Sequence, residues 1–352
     1  MKRHRPLAQA ASILIHPLGI EELLVLFDPV FSRRQLRGVV TDVVHETAQS
    51  ATISFRPGRG WRTHKAGQWT RIGVEINGVR HWRSYSLSSA SGQHPSITVT
   101  DIGEVSNALV HNTRVGDVLF LAPAEGEFTL PEEARPLIML TAGSGITPVM
   151  SMIRTLVPHQ STADVVLIHS ARSVEETLFH EELAGLSERY PGLRVIENFT
   201  ADSGRLDFSS AEQLDTLCPD WRDRAAYVCG PEGFVHDAEG LWTRSASGTA
   251  GLTIERFHAD LLDAEPGEGG LVTFELSDKE VEADGQPPLL EIGEDAGIMM
   301  PSGCRMGICH SCLTPLRAGK VRDLRTGDVH GEPGELIQTC VSAAAGSVNL
   351  GL

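Results

Sequence analysis

Residues 301–312 read PSGCRMGICHSC, and together with Cys340 they set Cys304, Cys309, Cys312 and a distant fourth cysteine in the order Cys-x4-Cys-x2-Cys…Cys. That is the plant-type spacing of [2Fe-2S] ligands, so one-electron chemistry is the first expectation. A structural zinc site is the competing assignment, but such sites pair two close couples. Here only Cys309 and Cys312 make a tight couple. Gly303 and Gly307 flank the ligands, where a loop must turn sharply and bring N–H groups up to the sulfurs. His310 also lies in the loop, yet four cysteines already complete a ligand set, which leaves it a surface residue.

A ferredoxin-sized unit uses less than a third of the 352 residues, and a chain of this length implies two or three domains. Hydrophobic residues make up 41% and charged residues 22%, the composition of a globular protein with no apolar run long enough to span a bilayer. The net charge of -16 speaks against nucleic-acid binding and suits electrostatic steering toward a basic protein partner. The N-terminus has a basic start and an AQA that mimics a cleavage site, but His16 and Pro17 interrupt its apolar stretch, so no secretory signal is expected. Cys218 and Cys229, the two cysteines left over, do not suggest a disulfide framework, and a reducing cytoplasm follows.

Upstream of the cysteines the chain changes rhythm twice. From Leu36 to about Phe128 it reads as short β-runs punctuated by Gly, Pro and Asn (RGVVTDVVHET, SATISFRP, QWTRIGVEING, RSYSLSS, SITVTD, VGDVLFLAP), the pattern of a small antiparallel barrel. Beyond Pro131, apolar strands alternate with helical patterns: PLIMLTAG then ITPVMSMIRTLV, DVVLIHSA then VEETLFHEELAGLSERY, AAYVCGP then EGFVHDAEGLWTRSA. That alternation predicts a parallel α/β sheet whose third strand ends in Cys229. LLDAEPGEGG, ending at Gly270, is the linker candidate, and a hairpin about Ser277 and Asp278 followed by a short helix at LLEIGEDAG leads into the cysteine loop. The resulting division is 1–33 extension, 34–130 barrel, 131–258 α/β domain, 259–270 linker and 271–352 cluster domain.

Three short motifs carry chemistry. AGSGITP, residues 142–148, ends an apolar strand and opens a helix, where glycines let backbone N–H groups approach a pyrophosphate; a plain strand-to-helix turn would use the same residues. Cys229-Gly230-Pro231 makes a second glycine turn on the same sheet edge, with Cys229 readable as an ordinary small buried residue. Arg83-Ser84-Tyr85-Ser86 offers a cation, a ring and a hydroxyl on one strand, with Arg83 and Tyr85 sharing a face; a surface strand of mixed polarity is the alternative.

Taken in order, RSYS, AGSGITP, CGP and Cys-x4-Cys-x2-Cys resemble the ferredoxin-NADP reductase superfamily with a fused C-terminal plant-type [2Fe-2S] ferredoxin domain, over about 36–352. Within it the chain is similar to actinobacterial reductases that serve acyl-CoA desaturases and other oxygenases. The resemblance implies a flavin-binding β-barrel, a nucleotide-binding α/β domain and a β-grasp ferredoxin domain. It implies that Arg83 binds the flavin pyrophosphate, that Tyr85 packs on the flavin, that Ser86 hydrogen-bonds its reactive region, and that Val105 and Ser106 form the turn holding the flavin phosphate. Many relatives carry a Lys-Arg pair and two glycines before that turn, whereas this chain has Thr100, Asp101 and a single Gly103. FAD is the implied flavin, with FMN as the alternative, and Phe257 is the aromatic residue implied to lie over it. Gly143, Ser144, Gly145, Thr147 and Pro148 match the family's nucleotide pyrophosphate turn, and Cys229, Gly230 and Pro231 the loop that positions the nicotinamide. Ser170, Arg172 and Arg205 are the polar candidates for a 2′-phosphate, which favours NADPH over NADH; Arg172 pairing with Glu175 or Glu176 on the following helix is the alternative.

The implied activity is an electron-transfer reductase in which Tyr85, Ser86, Cys229 and Phe257 surround the reacting groups. Electrons pass from NADPH to FAD to [2Fe-2S] and then to an external oxygenase or fatty acyl desaturase. The competing functions are an NADH-dependent aromatic-ring oxygenase reductase and a non-catalytic redox sensor. His16–Phe31 is expected as a strap over the barrel rather than as a peripheral membrane contact, because Glu21, Glu22 and Asp28 suit an anionic surface poorly. A monomer is expected.

Overall fold

A computed structural model of the chain describes residues 28–32, 35–76, 78–158, 163–245, 251–257, 268–302, 307 and 310–352. They fall into two compact units that meet in sequence between Glu255 and Arg256.

In the first unit, strands β1 (Arg37–Thr47), β2 (Ser50–Pro57), β3 (Trp69–Ile76), β4 (Val79–Ser86), β5 (Ser96–Thr100) and β6 (Val118–Leu121) form an antiparallel sheet in the order β4-β3-β6-β1-β2-β5. A bridge between Leu87 and Ile97 brings the end beyond β4 to β5 and closes the barrel. Alternation sends Val40, Ile53, Phe55, Ile72, Ile97 and Leu121 inward, all at most 1% exposed. Each such side chain contributes about 1.5–3 kcal/mol of burial. Hydroxyl pairs Ser50–Thr100 (2.9 Å) and Thr52–Thr98 (2.8 Å) join β2 to β5. A four-residue helix, α1 (Glu104–Asn107), follows β5. Of the anticipated strap, Asp28–Phe31 does lie on the barrel: Asp28 pairs with Arg56 of β2 at 3.0 Å and Val30 is buried. The rest of that segment, and with it the membrane-contact alternative, lies outside the described residues.

The same unit continues into a parallel sheet of β7 (Leu137–Ala142), β8 (Val165–Ala171), β9 (Leu193–Phe199), β10 (Ala225–Cys229) and β11 (Leu252–Glu255), ordered β11-β10-β7-β8-β9. Helices α2 (Ile146–Leu156), α3 (His180–Arg189), α4 (Glu212–Leu217) and α5 (Glu232–Arg244) connect them. The expectation that Cys229 ends the third strand is corrected, because β9 intervenes and β10 is the fourth. β9 is an edge strand with mostly half-buried side chains, so its sequence LRVIENF carries too little apolar signal to stand out. Chain order reverses between β7 and β10, which makes the space beyond their carboxyl ends the switch point where open α/β sheets bind ligands.

The second unit builds a mixed sheet from β12 (Gly270–Phe274), β13 (Lys279–Ala283), β14 (Leu313–Ala318), β17 (Leu336–Gln338) and β19 (Val348–Leu350), in the order β13-β12-β19-β14-β17. A small sheet of β15 (Val321–Asp323), β16 (Val329–His330) and β18 (Ser342–Ala344) accompanies it. The β12–β13 hairpin turns at Asp278, helix α6 (Leu289–Asp295) follows it, and β12 pairs parallel with β19, a β-grasp arrangement. Leu289, Leu290, Phe274, Leu316 and Leu350 close the core beneath Cys312 and Cys340. Among the described residues no helix is long and apolar enough to cross a membrane.

Candidate functional site

The β7 and β10 turns approach each other closely. Gly145 sits so near the β10 turn that a Cβ there would lie 2.3 Å from the Cys229 carbonyl oxygen and 2.6 Å from the Gly230 nitrogen. Glycine is the residue that lets the two turns meet. Thr147 donates its hydroxyl to the Ser144 carbonyl at 2.9 Å and fixes the first turn of α2. A cavity of about 440 Å³ opens beside these turns. Gly143, Ser144, Ser170, Arg172, Arg205 and Pro231, all predicted from sequence, line it. Gly145, Thr147, Pro148, Cys229 and Gly230 are buried just behind. Arg172 is largely exposed and only loosely paired with Glu176, at 3.9 Å, so the ion-pair alternative accounts for little of its position.

On β4, Arg83 donates to the Trp82 carbonyl at 2.9 Å, Tyr85 packs against the barrel core and Ser86 is buried. Burial pushes the Tyr85 phenol up to about 12, with Arg83 opposing, so it stays neutral. In α1, the Ser106 hydroxyl accepts from the Gly103 N–H at 2.9 Å and donates to the Gly103 carbonyl, while Val105 is buried. Asp101, standing where relatives carry cations, is held by Asn107 at 2.9 Å and His111 at 3.0 Å. Phe257 is half-buried two residues past β11, in the second unit.

Glu255, Thr141, His169 and Glu197, which stand beside the predicted Cys229, escaped the sequence reading. Glu255, Cys229, Thr141, His169 and Glu197 are in register across β11, β10, β7, β8 and β9, and therefore share one face of the sheet. Burial pushes the Glu255 carboxyl up to about 7. The Cys229 thiol is driven well above its ordinary value by burial and then by Glu255. His169 is pulled down to about 4 by burial, opposed by a hydrogen bond to the Thr141 backbone, and its Nδ1 lies 2.8 Å from the Thr141 hydroxyl. Parallel-strand ends were the available signal, but register between strands distant in sequence is not written in either strand alone.

At the cysteine loop, Cys312 and Cys340 are buried with their Sγ atoms 3.2 Å apart. That is far beyond the ~2.05 Å of a disulfide. It approaches the ~3.8 Å edge of a tetrahedron with ~2.3 Å metal–sulfur bonds, so the two thiols fit neighbouring corners of one metal. Cys304 and Cys309 lie outside the described residues. His310 is exposed, as anticipated, with its backbone at φ 55°.

Comparison with known proteins agrees with this layout. Residues 139–240 match the oxidoreductase NAD-binding domain and residues 272–345 the 2Fe-2S iron-sulfur cluster binding domain. The chain is 45% identical over 349 residues to an NADPH oxidoreductase of Mycobacterium tuberculosis, covering 97% of this chain and 90% of that protein. It is 30% identical to the ferredoxin reductase component of the 3-ketosteroid-9-alpha-monooxygenase of Rhodococcus rhodochrous, covering 80% and 86%. Its fold matches phthalate dioxygenase reductase with a TM-score of 0.65 at 24% identity, over 90% of this chain and 97% of that one. With a barrel, a parallel nucleotide-type sheet and a β-grasp unit in this order, the chain belongs to the ferredoxin-NADP reductase superfamily, as an NAD(P)H-dependent flavin and [2Fe-2S] electron-transfer reductase.

Proposed function

We propose that this reductase takes electrons from NADPH and delivers them, through FAD and the [2Fe-2S] cluster, to an external oxygenase or fatty acyl desaturase. The observation that carries the reading is the convergence of six predicted residues on one cavity outside the carboxyl ends of β7, β8 and β10. Gly143 and Ser144 present the turn for the pyrophosphate, and Ser170, Arg172 and Arg205 surround the position of a 2′-phosphate. The 45% identity to a protein named NADPH oxidoreductase supports the same choice of nucleotide.

When bound, flavin would supply the exchange between a two-electron hydride and single electrons and a [2Fe-2S] cluster would supply one-electron transfer, and that bond chemistry belongs to the cofactors. The protein supplies position. Arg83 would meet the flavin pyrophosphate with Val105 and Ser106 at its phosphate turn, Tyr85 would pack on the ring and Ser86 would hydrogen-bond its reactive region; Phe257 is the aromatic residue that the resemblance also assigns to the ring. Cys229, Gly230 and Pro231 would hold the nicotinamide, with Gly145, Thr147 and Pro148 backing the loop. Cys229 is wholly buried and its thiol neutral, so it excludes water from the transfer path rather than acting as a base. Cys304, Cys309, Cys312 and Cys340 ligate the cluster. The proposed working blocks are a flavin block from 34 to 130, a nucleotide block from 131 to the end of β11 and a cluster block from 271 to 352, and the proposed state is a cytoplasmic monomer.

Likeness in fold to phthalate dioxygenase reductase favours an aromatic-ring oxygenase as the alternative acceptor. The test is to release and weigh the flavin, then titrate the holoenzyme anaerobically with NADPH and NADH. FAD mass and bleaching at lower NADPH than NADH are expected. FMN, or a preference for NADH, overturns the assignment, and comparing acceleration of a desaturase with that of an aromatic oxygenase separates the acceptors.

A further inference from the structure

Arg325 lies in the turn after β15, outside the flavin, nucleotide and cysteine motifs, and its guanidinium is committed to three segments at once. Its Nε and Nη2 grip Asp323 in a fork at 3.0 and 2.6 Å. Nη1 donates to the carbonyl of Gly307 at 3.2 Å, and Nη2 to Gln338 Oε1 at 3.2 Å. Gln338, the last residue of β17, donates its own Nε2 to the same Gly307 carbonyl at 2.7 Å and lies 3.3 Å from His310 Nδ1. Gly307 is in the middle of the Cys304–Cys309 interval, His310 between Cys309 and Cys312, and Gln338 two residues before Cys340. The clamp therefore joins both ends of the proposed ligand set. Gly307 is shaped for it: at φ 71°, an added Cβ would sit 2.6 Å from Arg325 Nη1. Arg325 is held charged, its pKa raised first by Asp323 and also by the neighbouring Cys340 and Cys312.

We infer that Arg325, with Asp323 and Gln338, is a positioning clamp that fixes the cysteine loop through the Gly307 carbonyl and sets the cluster's reduction potential by the charge it holds there. The inference rests on the reading that the four cysteines ligate the cluster. Its two parts separate physically. Gln338 is neutral and acts on the loop alone. Arg325 and Asp323 carry opposite charges beside a centre that gains one negative charge on reduction, so removing them moves the potential in opposite directions. A merely structural role would move both the same way.

The experiment uses the holoenzyme and the variants R325Q, D323N, R325K and Q338L, with EPR-monitored redox titration of the cluster and the rate of iron release to a chelator. R325Q leaves Asp323 uncompensated and shifts the one-electron equilibrium about tenfold toward the oxidised cluster, about 59 mV more negative. D323N shifts it severalfold the other way. R325K keeps most of the potential, because the charge remains, but releases iron severalfold faster because an ammonium cannot make the fork. Q338L releases iron faster at unchanged potential. Shifts of the same sign in R325Q and D323N, or wild-type release in both R325K and Q338L, overturn the clamp. If R325Q is purified without cluster, D323N, R325K and Q338L decide the matter. A wild-type protein that binds no cluster would instead sink the underlying ligand assignment.

Discussion

Replacing Gly145 by alanine tests the cofactor edge at its tightest point. Gly145 has ordinary right-handed backbone angles, φ -60° and ψ -11°, so alanine is not strained there and would by itself stabilise the fold by about 0.4–1 kcal/mol. Any loss must come from contact. The added Cβ meets the Cys229 carbonyl oxygen at 2.3 Å and carbon at 2.5 Å, and the Gly230 nitrogen at 2.6 Å, where ordinary contact begins at 3.4 Å. These are backbone atoms with no side-chain freedom to yield, so the β7 and β10 turns must part by about 1 Å. Overpacking of this kind costs about 1–3 kcal/mol of stability. A 1 Å displacement of the turn that positions the nicotinamide costs about 10²-fold in rate, or roughly 2.7 kcal/mol of barrier. The assay is anaerobic stopped-flow bleaching of the flavin by NADPH, beside a urea melt. Chemical reduction of the cluster in G145A should proceed normally, locating the defect upstream. A folded G145A reduced at the wild-type rate would refute the argument that these two turns frame the transfer site.

Arg172→Ala should weaken NADPH by about 10–100-fold, the value of one charge-assisted phosphate contact, and leave NADH nearly unchanged in nucleotide titrations; equal losses for both would remove Arg172 from phosphate recognition. Arg154→Ala removes a 2.7 Å bond to the Ser88 carbonyl, two residues past Ser86, together with a two-point contact to Glu182 and a guanidinium stacked 4.8 Å over Phe179. It should lower stability by about 2–3 kcal/mol in urea and slow flavin reduction, with R154K recovering part of the stability.

Much of the architecture was legible because its signals are local. The barrel strands alternate along their own sequence, β7, β8 and β10 are continuous apolar runs, and each glycine turn follows its strand directly. The spacing of Cys304, Cys309 and Cys312 is local as well. What escaped depends on pairing between distant segments. β9 is an edge strand that carries Arg194 and Glu197, so its amphipathic sequence does not announce it. The Glu255–Cys229–Thr141–His169–Glu197 row exists only because five strands pair in register. Arg325 is an unremarked arginine in RDLRTG until β15 and β17 bring it to Gly307. The departures before α1 were visible, yet their consequence was not: Asp101 is turned to Asn107 and His111, which satisfies its charge within the turn.

That row makes a prediction in which two effects conceal each other. Glu255, with an ordinary value of 4.5, is pushed up to about 7 in the folded protein. Its contribution to stability is complete below 4.5, where both states are protonated, and is lost as pH rises toward 7, because the unfolded chain ionises first. His169 moves the other way, from 6.5 down to about 4. Its contribution is complete above 6.5 and is lost as pH falls toward 4, because the unfolded chain takes up the proton first. Each effect is on the order of 3 kcal/mol. Between about pH 4.5 and 6.5 the slopes have opposite sign and similar size, so this pair leaves the wild-type curve nearly flat there. Substitution of either residue should expose the other: the stability of E255Q should climb with pH across that window, and that of H169N should fall. Urea unfolding of the holoenzyme at half-unit steps from pH 4 to 8 reads both slopes. Parallel curves for the wild type and both variants would mean that neither group is held as the strand register requires, whereas opposed slopes would tie the two buried, neutral groups to one shared row of the sheet.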